Sequence, residues 1–315
     1  MIERELTYVY GPVPSRRLGL SLGVDIVPFK HCTLDCVYCQ LGRTTSLTTE
    51  RAVLVPIEPV VADVATALRE RPTPDFITLS GSGEPTLHSG LGELIDQLHA
   101  VSHLPIAVIT NGTLLWVPEV RVACAKADVV LPSLDAGDAE TFSRVNRPHA
   151  DITFERLVSG LKAFREEYDG QIWLEVFIVA GITDTEEAAK AIARIVSDLA
   201  SDRVQLNTAV RPTAEAELQP VSWERMETLA GLFDPPAEVV ADFRSAQAEL
   251  RDSASAEVVL EMLRRRPATV EDLATGLGLH ANEVVKLVDQ LRQAGAVADE
   301  VRSGRRYFHP VGREG

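Results

Sequence analysis

The sequence predicts an α/β protein with parallel strands, followed by a smaller, mainly helical unit. Three observations predict this. Between Leu20 and Asn207, short β-branched runs alternate with amphipathic helical segments six times, a beat that favours parallel strands joined by crossover helices. Three of the four cysteines fall in one loop directly after the first strand run. Beyond residue 253 the pattern changes to three short helices and two short strands around Ser303-Gly304. The expected division is a larger unit over 1–220, a helical linker over 221–253 and a terminal unit over 254–315.

Taken in order, Gly11-Pro12-Val13-Pro14-Ser15 reads as a turn-rich entry loop. Leu20 to Val27 alternates and then runs apolar, as a first buried strand does. Arg16 and Arg17 precede it and are candidates to clamp a carboxylate or phosphate. Glu58 to Arg69 is a helix with Val61, Val64, Ala65 and Leu68 inward, closed by Pro72 and Pro74. The strand Phe76 to Leu79 runs into Ser80-Gly81-Ser82-Gly83-Glu84-Pro85, where glycines let backbone approach a ligand. A helix over Leu91–Leu98 leads to the strand Ile106–Ile109, which ends in Thr110-Asn111-Gly112. Cys124, among alanines of the next helix, reads as core.

The strand opened by Val129-Val130-Leu131 runs on to Ser133 and Asp135, two apart and so on one side of an extended chain. Helices over Asp138–Arg144 and Phe154–Phe164 precede the longest β run, Ile172–Val179. Glu175 inside that run requires a partner, which a polar interior could supply, unless it faces the surface at the strand start. Thr183-Asp184-Thr185-Glu186 matches a capping box for a helix over Ala188–Leu199. The sixth strand, Arg203–Asn207, puts Gln205 and Asn207 on one face, and Arg211 beyond it is a candidate anion contact. Ser222–Phe233 is a helix, and Val239–Leu250 links to the terminal unit.

No run of about 20 apolar residues is present, so no membrane-spanning helix is expected. Met1–Leu6 is charged and lacks an apolar signal core, which points to the cytoplasm. The net charge of −15 argues against a nucleic-acid backbone as the main partner.

The chemistry is concentrated in His31-Cys32-Thr33-Leu34-Asp35-Cys36-Val37-Tyr38-Cys39. Thiolates this close repel unless a cation or cluster holds them, and soft sulfur selects zinc, copper(I) or iron–sulfur. Structural zinc requires four ligands, and His31 is poorly placed beside Cys32 to be the fourth. Three ligands on a four-iron cube leave one iron open.

The spacing C-x3-C-x-aromatic-C, with Tyr38 as the aromatic, resembles the signature of the radical S-adenosylmethionine (SAM) superfamily. The resemblance covers residues 8 to about 215. It implies a partial (β/α)6 barrel, a [4Fe–4S] cluster on Cys32, Cys36 and Cys39, and SAM as cofactor on the fourth iron. It further implies an iron–sulfur, oxidoreductase-like enzyme that cleaves SAM reductively to a 5′-deoxyadenosyl radical, with a flavodoxin or ferredoxin as reductant. Ser82-Gly83-Glu84-Pro85 is similar to the family's Gly-Gly-Glu-Pro segment, with Ser82 at the first Gly. Tyr38, Ser82, Gly83, Glu84, Asn111, Ser133, Asp135 and Arg211 are thereby the expected SAM contacts. Gly11–Arg17 and Gln205-Leu206-Asn207 through Val210-Arg211-Pro212 also resemble the branch near the wyosine-forming tRNA enzymes, without their additional cysteines or flavodoxin-like portion. RNA, a protein or peptide, and a small molecule all stay open as substrates.

The terminal unit resembles a winged helix-turn-helix, with His280–Gln293 as third helix and Ser303–Arg306 in the wing. Its acidic and basic residues balance, which favours docking or covering the barrel over DNA reading. Two alternatives of other classes are a cluster-bearing DNA-binding regulator and a zinc protein.

Overall fold

The computed structural model describes residues 6–15, 17–210, 213–240, 256–277, 281–302 and 304–312. Arg16 and Arg211 lie outside the described residues, as does most of the expected link over 239–250.

One eight-stranded sheet runs in the order β1-β2-β5-β6-β7-β8-β9-β10. Its strands are β1 (Val9–Ser15), β2 (Gly19–Val24), β5 (Phe76–Leu79), β6 (Ile106–Thr110), β7 (Val129–Pro132), β8 (Gln171–Ile178), β9 (Arg203–Thr208) and β10 (Glu238–Val239). Two-residue strands β3 (His31–Cys32) and β4 (Ser46–Leu47) pair separately within the cysteine loop. Within this sheet every pairing from β2 to β10 is parallel, and β1–β2 is antiparallel. The helices of this part are α1 (Ile57–Glu70), α2 (Leu91–Val101), α3 (Pro118–Cys124), α4 (Ala139–Asn146), α5 (Phe154–Glu167), α6 (Glu186–Leu199) and α7 (Trp223–Ala230).

The six expected strand–helix units are present, with five local corrections. Val9–Ser15 is a strand, where the sequence reads as a loop. Its two prolines are tolerated because β1 is an edge strand, and the register shifts between Tyr10 and Val13. The first parallel strand stops at Val24, since Asp25 turns to accept the Ser82 N–H at 3.2 Å. Helix α1 buries Ile57, Val60, Val64 and Ala67, a face rotated from the expected one. Asp63 on that face accepts the N–H groups of Thr7 and Tyr8 at 2.9 and 3.2 Å. Helix α6 is capped by Thr185, not Thr183, whose hydroxyl instead accepts the Val179 N–H at 2.8 Å. β10 was read as part of a link: two residues carry no period for a sequence reading to detect.

The sheet's two faces differ. One packs against the helices in the main core, where Leu22, Val24, Ile77, Leu79, Leu174 and Phe164 are buried. The other carries a small apolar plug of Leu18, Ala107, Val129, Leu131 and Trp173. On that second face Glu175 finds its partners: Arg17 forms an ion pair with it, and Asn207 Nδ2 donates to it at 2.9 Å. The interior is thus apolar at one end and polar toward the C-terminal ends of the strands.

Residues beyond 255 form α8 (Ala256–Arg265), α9 (Val270–Leu277), α10 (Ala281–Gln293) and the antiparallel ribbon β11 (Val297–Arg302) and β12 (Arg305–Pro310). Their own core includes Val259, Leu263, Leu273, Val284, Val288 and Phe308, and Val13 of β1 packs against it.

Phe164 is fully buried on α5. Phe164→Ala is expected to lower the unfolding free energy by roughly 3–5 kcal/mol through lost burial and the cavity left behind, read by urea denaturation at unchanged slope.

Candidate functional site

The three clustered cysteines lie on a loop that leaves β2 and is sewn to the neighbouring strand ends by backbone hydrogen bonds. Lys30 N–H donates to the Ser82 carbonyl at 2.6 Å, and Glu84 N–H to His31 at 3.0 Å. Val37 N–H donates to Val145 at 3.0 Å, and His149 N–H to Thr33 at 2.9 Å. On the far side Glu215 N–H reaches Val37 at 3.0 Å and Ala214 N–H reaches Cys39 at 2.8 Å. Gly83 is required where the loop crosses the turn, because a Cβ there would collide with the His31 carbonyl.

Each cysteine sulfur has its own nitrogen donor. Asn111 Nδ2 lies 3.5 Å from Cys32 Sγ, Asn146 Nδ2 3.5 Å from Cys36 Sγ, and Lys30 Nζ 3.5 Å from Cys39 Sγ. Desolvation, reinforced by the Glu84 charge, pushes the Cys32 thiol up to about 12. The Cys36 thiol is also pushed well up, by desolvation and then by Asp135. Left alone, these groups would stay protonated. A set of sulfurs surrounded by N–H donors suits a metal cluster that takes them as thiolates. Among the described residues, no three His, Cys, Asp or Glu side chains converge on one point.

Two buried carboxylates anchor this arrangement. Glu84 accepts Thr86 N–H at 3.0 Å, Thr86 Oγ1 at 2.6 Å, Thr110 Oγ1 at 2.6 Å and Asn111 N–H at 2.7 Å. Desolvation still holds its carboxyl above the usual range, despite those donors. Asp135 accepts the Tyr38 hydroxyl, Asn146 Nδ2 at 2.7 Å and Phe177 N–H at 2.9 Å. Burial pushes its carboxyl up to about 6.

The residues expected from the sequence thus form two linked groups. Tyr38 and Asp135 meet directly, and Tyr38 stacks on Phe177 with ring centroids 3.9 Å apart. Glu84 and Asn111 meet directly, and Asn111 also donates to Thr33 at 2.8 Å. Ser82 turns its hydroxyl to Asp25, and Ser133 bridges by its backbone to Glu175. Lys30, Asn146 and Asp25 carry no motif signal in the sequence, whereas Arg17 is the candidate anion clamp and here pairs with Glu175. For the lysine a hint was present, since it stands two residues before the first cysteine. A further group arrives from the terminal unit: Arg265 pairs with Asp25, donates to Ser82 Oγ at 2.8 Å and lies 4.4 Å over the Tyr10 ring.

The model of the Radical SAM superfamily matches residues 26–196. The chain belongs to the radical SAM superfamily. It is 35% identical over 231 residues to a UPF0026 protein of Methanocaldococcus jannaschii, covering 73% of this chain and 72% of that one. It is 36% identical over 299 residues to a protein of Brachyspira hyodysenteriae named GTPase Obg, covering 94% of this chain. The chain spans only 44% of that relative's length. Its fold is similar to the structure titled "Structure of TYW1 with a lysine-pyruvate adduct bound", with a TM-score of 0.51 at 18% identity, over 69% of this chain and 74% of that one. Superfamily membership makes the protein an enzyme of the radical SAM kind, and members of the superfamily use SAM and a [4Fe–4S] cluster. No helix among the described residues is long and apolar enough to cross a membrane.

Asp135 gives a pH test with a defined sign. Its folded value of about 6 lies above the ordinary 3.8, so the native state holds the proton more tightly than the unfolded one. Between about pH 4 and 6 the stability from this group falls as pH rises, and it is flat above that window. In urea titrations, wild type is expected to lose stability relative to Asp135→Asn across the window.

Proposed function

We propose that Cys32, Cys36 and Cys39 hold a [4Fe–4S] cluster whose fourth iron takes SAM. The observation that carries this is the trio of sulfurs, each with its own nitrogen donor, beside the Ser82-Gly83 turn of a radical SAM chain. With both groups bound, the family's chemistry is reductive cleavage of SAM to a 5′-deoxyadenosyl radical that removes hydrogen from a substrate.

The chain's own residues prepare that step. The Ser82 and Gly83 backbone offers polar groups to the methionine end of SAM, together with Glu84. Tyr38, held against Phe177, offers a flat apolar surface to the adenine. Asn111, Ser133 and Asp135 complete the contacts at the strand ends, and Arg211, also an expected contact, lies outside the described residues. Lys30 and the two asparagines favour negative charge on the sulfurs. A flavodoxin or ferredoxin is the proposed reductant, in the cytoplasm.

Residues 254–315 are read as a winged helix-turn-helix domain, after a barrel domain over 1–220 and the linker over 221–253. Its role here is docking. Arg302 of the ribbon donates to the Leu218 carbonyl, and Arg306 pairs with Asp299 at 3.2 Å. These two arginines are thus engaged within the protein, which favours docking over DNA reading. The residues resembling the wyosine-forming branch favour RNA as substrate, and the net charge of −15 disfavours it.

The test is anaerobic reconstitution with iron and sulfide, then SAM and a strong reductant. About four irons per chain and formation of 5′-deoxyadenosine are expected, with turnover lost in Cys36→Ala. Stoichiometric zinc, or a full cluster without SAM cleavage, would overturn the proposal. Lys30→Met is expected to move the cluster's reduction potential to more negative values, because a cationic donor beside a sulfur favours the reduced state. An EPR-monitored redox titration checks this.

A further inference from the structure

The interior is covered on one side by the terminal unit. The sheet's edges are β1 and β10, so its two ends do not close on each other. The terminal unit touches both sides of that gap. Helix α8 lies against β1, and Arg265 reaches Asp25 and Ser82. On the other side the Tyr307 hydroxyl donates to the Val210 carbonyl at 2.6 Å, and Arg302 donates to Leu218, both in the segment after β9.

Beneath this cover is a cavity of about 300 Å³. One wall is α8, through Met262, Arg265 and Arg266; the others come from the sheet, including Arg17 and Ser80. Among the described residues, Gly83 is the expected cofactor contact that lines it, so the cavity meets that site at the Gly83 turn. Among the described residues its lining has three arginines and no aspartate or glutamate, on a protein of net charge −15. The carboxylates that orient two of them, Glu175 and Asp25, are not among the lining residues. Guanidinium groups arranged this way suit a carboxylate or phosphate, which they can bind with paired N–H donors. The volume is at the lower end of metabolite pockets, which fits a small molecule better than a macromolecule.

We propose that this cavity is the substrate chamber and that the terminal unit is one of its walls. The substrate is then a small molecule with a carboxylate or phosphate facing Arg17, Arg265 and Arg266. This rests on the radical SAM reading for the reaction, but not for the binding.

The test is calorimetry and thermal shift on the full-length, cluster-loaded protein, without reductant. Glycerol 3-phosphate probes the phosphate arm, glycerate the carboxylate arm, and glycerol serves as the neutral control. At least one anion is expected to bind at millimolar concentration while glycerol does not. Arg266→Gln should weaken that binding about tenfold or more, as expected for a lost charged hydrogen bond. Arg266→Lys should recover part of it, and the exposed Arg305→Gln should leave it unchanged. The proposal is overturned if neither anion binds, if the Arg266 variants bind like wild type, or if a short RNA binds in their place. Because no turnover is needed, failure of SAM cleavage would remove the proposed function while leaving this result intact.

Discussion

The cysteine loop has little regular structure of its own, and two buried carboxylates keep it in position. Glu84 fixes the turns after β5 and β6, and through Asn111 reaches Cys32 and Thr33. Asp135 fixes the turn after β7, and through Asn146 and Tyr38 reaches Cys36 and its neighbour. Each carboxylate is costly to bury, and each is offset by three or more donors. Three sulfurs from one loop are thereby held where strands β2, β5, β6 and β7 end.

Much of this was legible in the sequence. Parallel strands buried on both faces read as continuous apolar runs, so Phe76–Leu79, Ile106–Thr110 and Gln171–Ile178 stood out. The cysteine spacing pointed to the site, and Glu175 called for a polar partner, in the interior or at the surface. Tertiary pairings were hidden. Nothing local tells that Lys30 will reach Cys39, that Arg17 will cross to Glu175, or that Arg265 will meet Asp25, a partner 240 residues away. The strand at Val9–Ser15 was hidden for another reason: its glycine and prolines are turn residues elsewhere, and only an edge position makes them strand residues.

The terminal unit joins these observations into one account. Arg265 binds the same Ser82–Asp25 pair that shapes the turn beside the cysteines. Cofactor turn, interior and cover thus share residues, and a ligand under α8 would lie beside Gly83. A cover of this kind also keeps water from a reactive species, a general demand of radical chemistry that the cofactor cannot meet alone.

The central claim is that three protein sulfurs leave one iron for SAM. EPR of the anaerobically reduced protein, recorded with and without SAM, tests it most directly. The account predicts a reduced [4Fe–4S] signal whose shape changes when SAM binds, since SAM would ligate the open iron. A reduced-cluster signal unaltered by saturating SAM would contradict it.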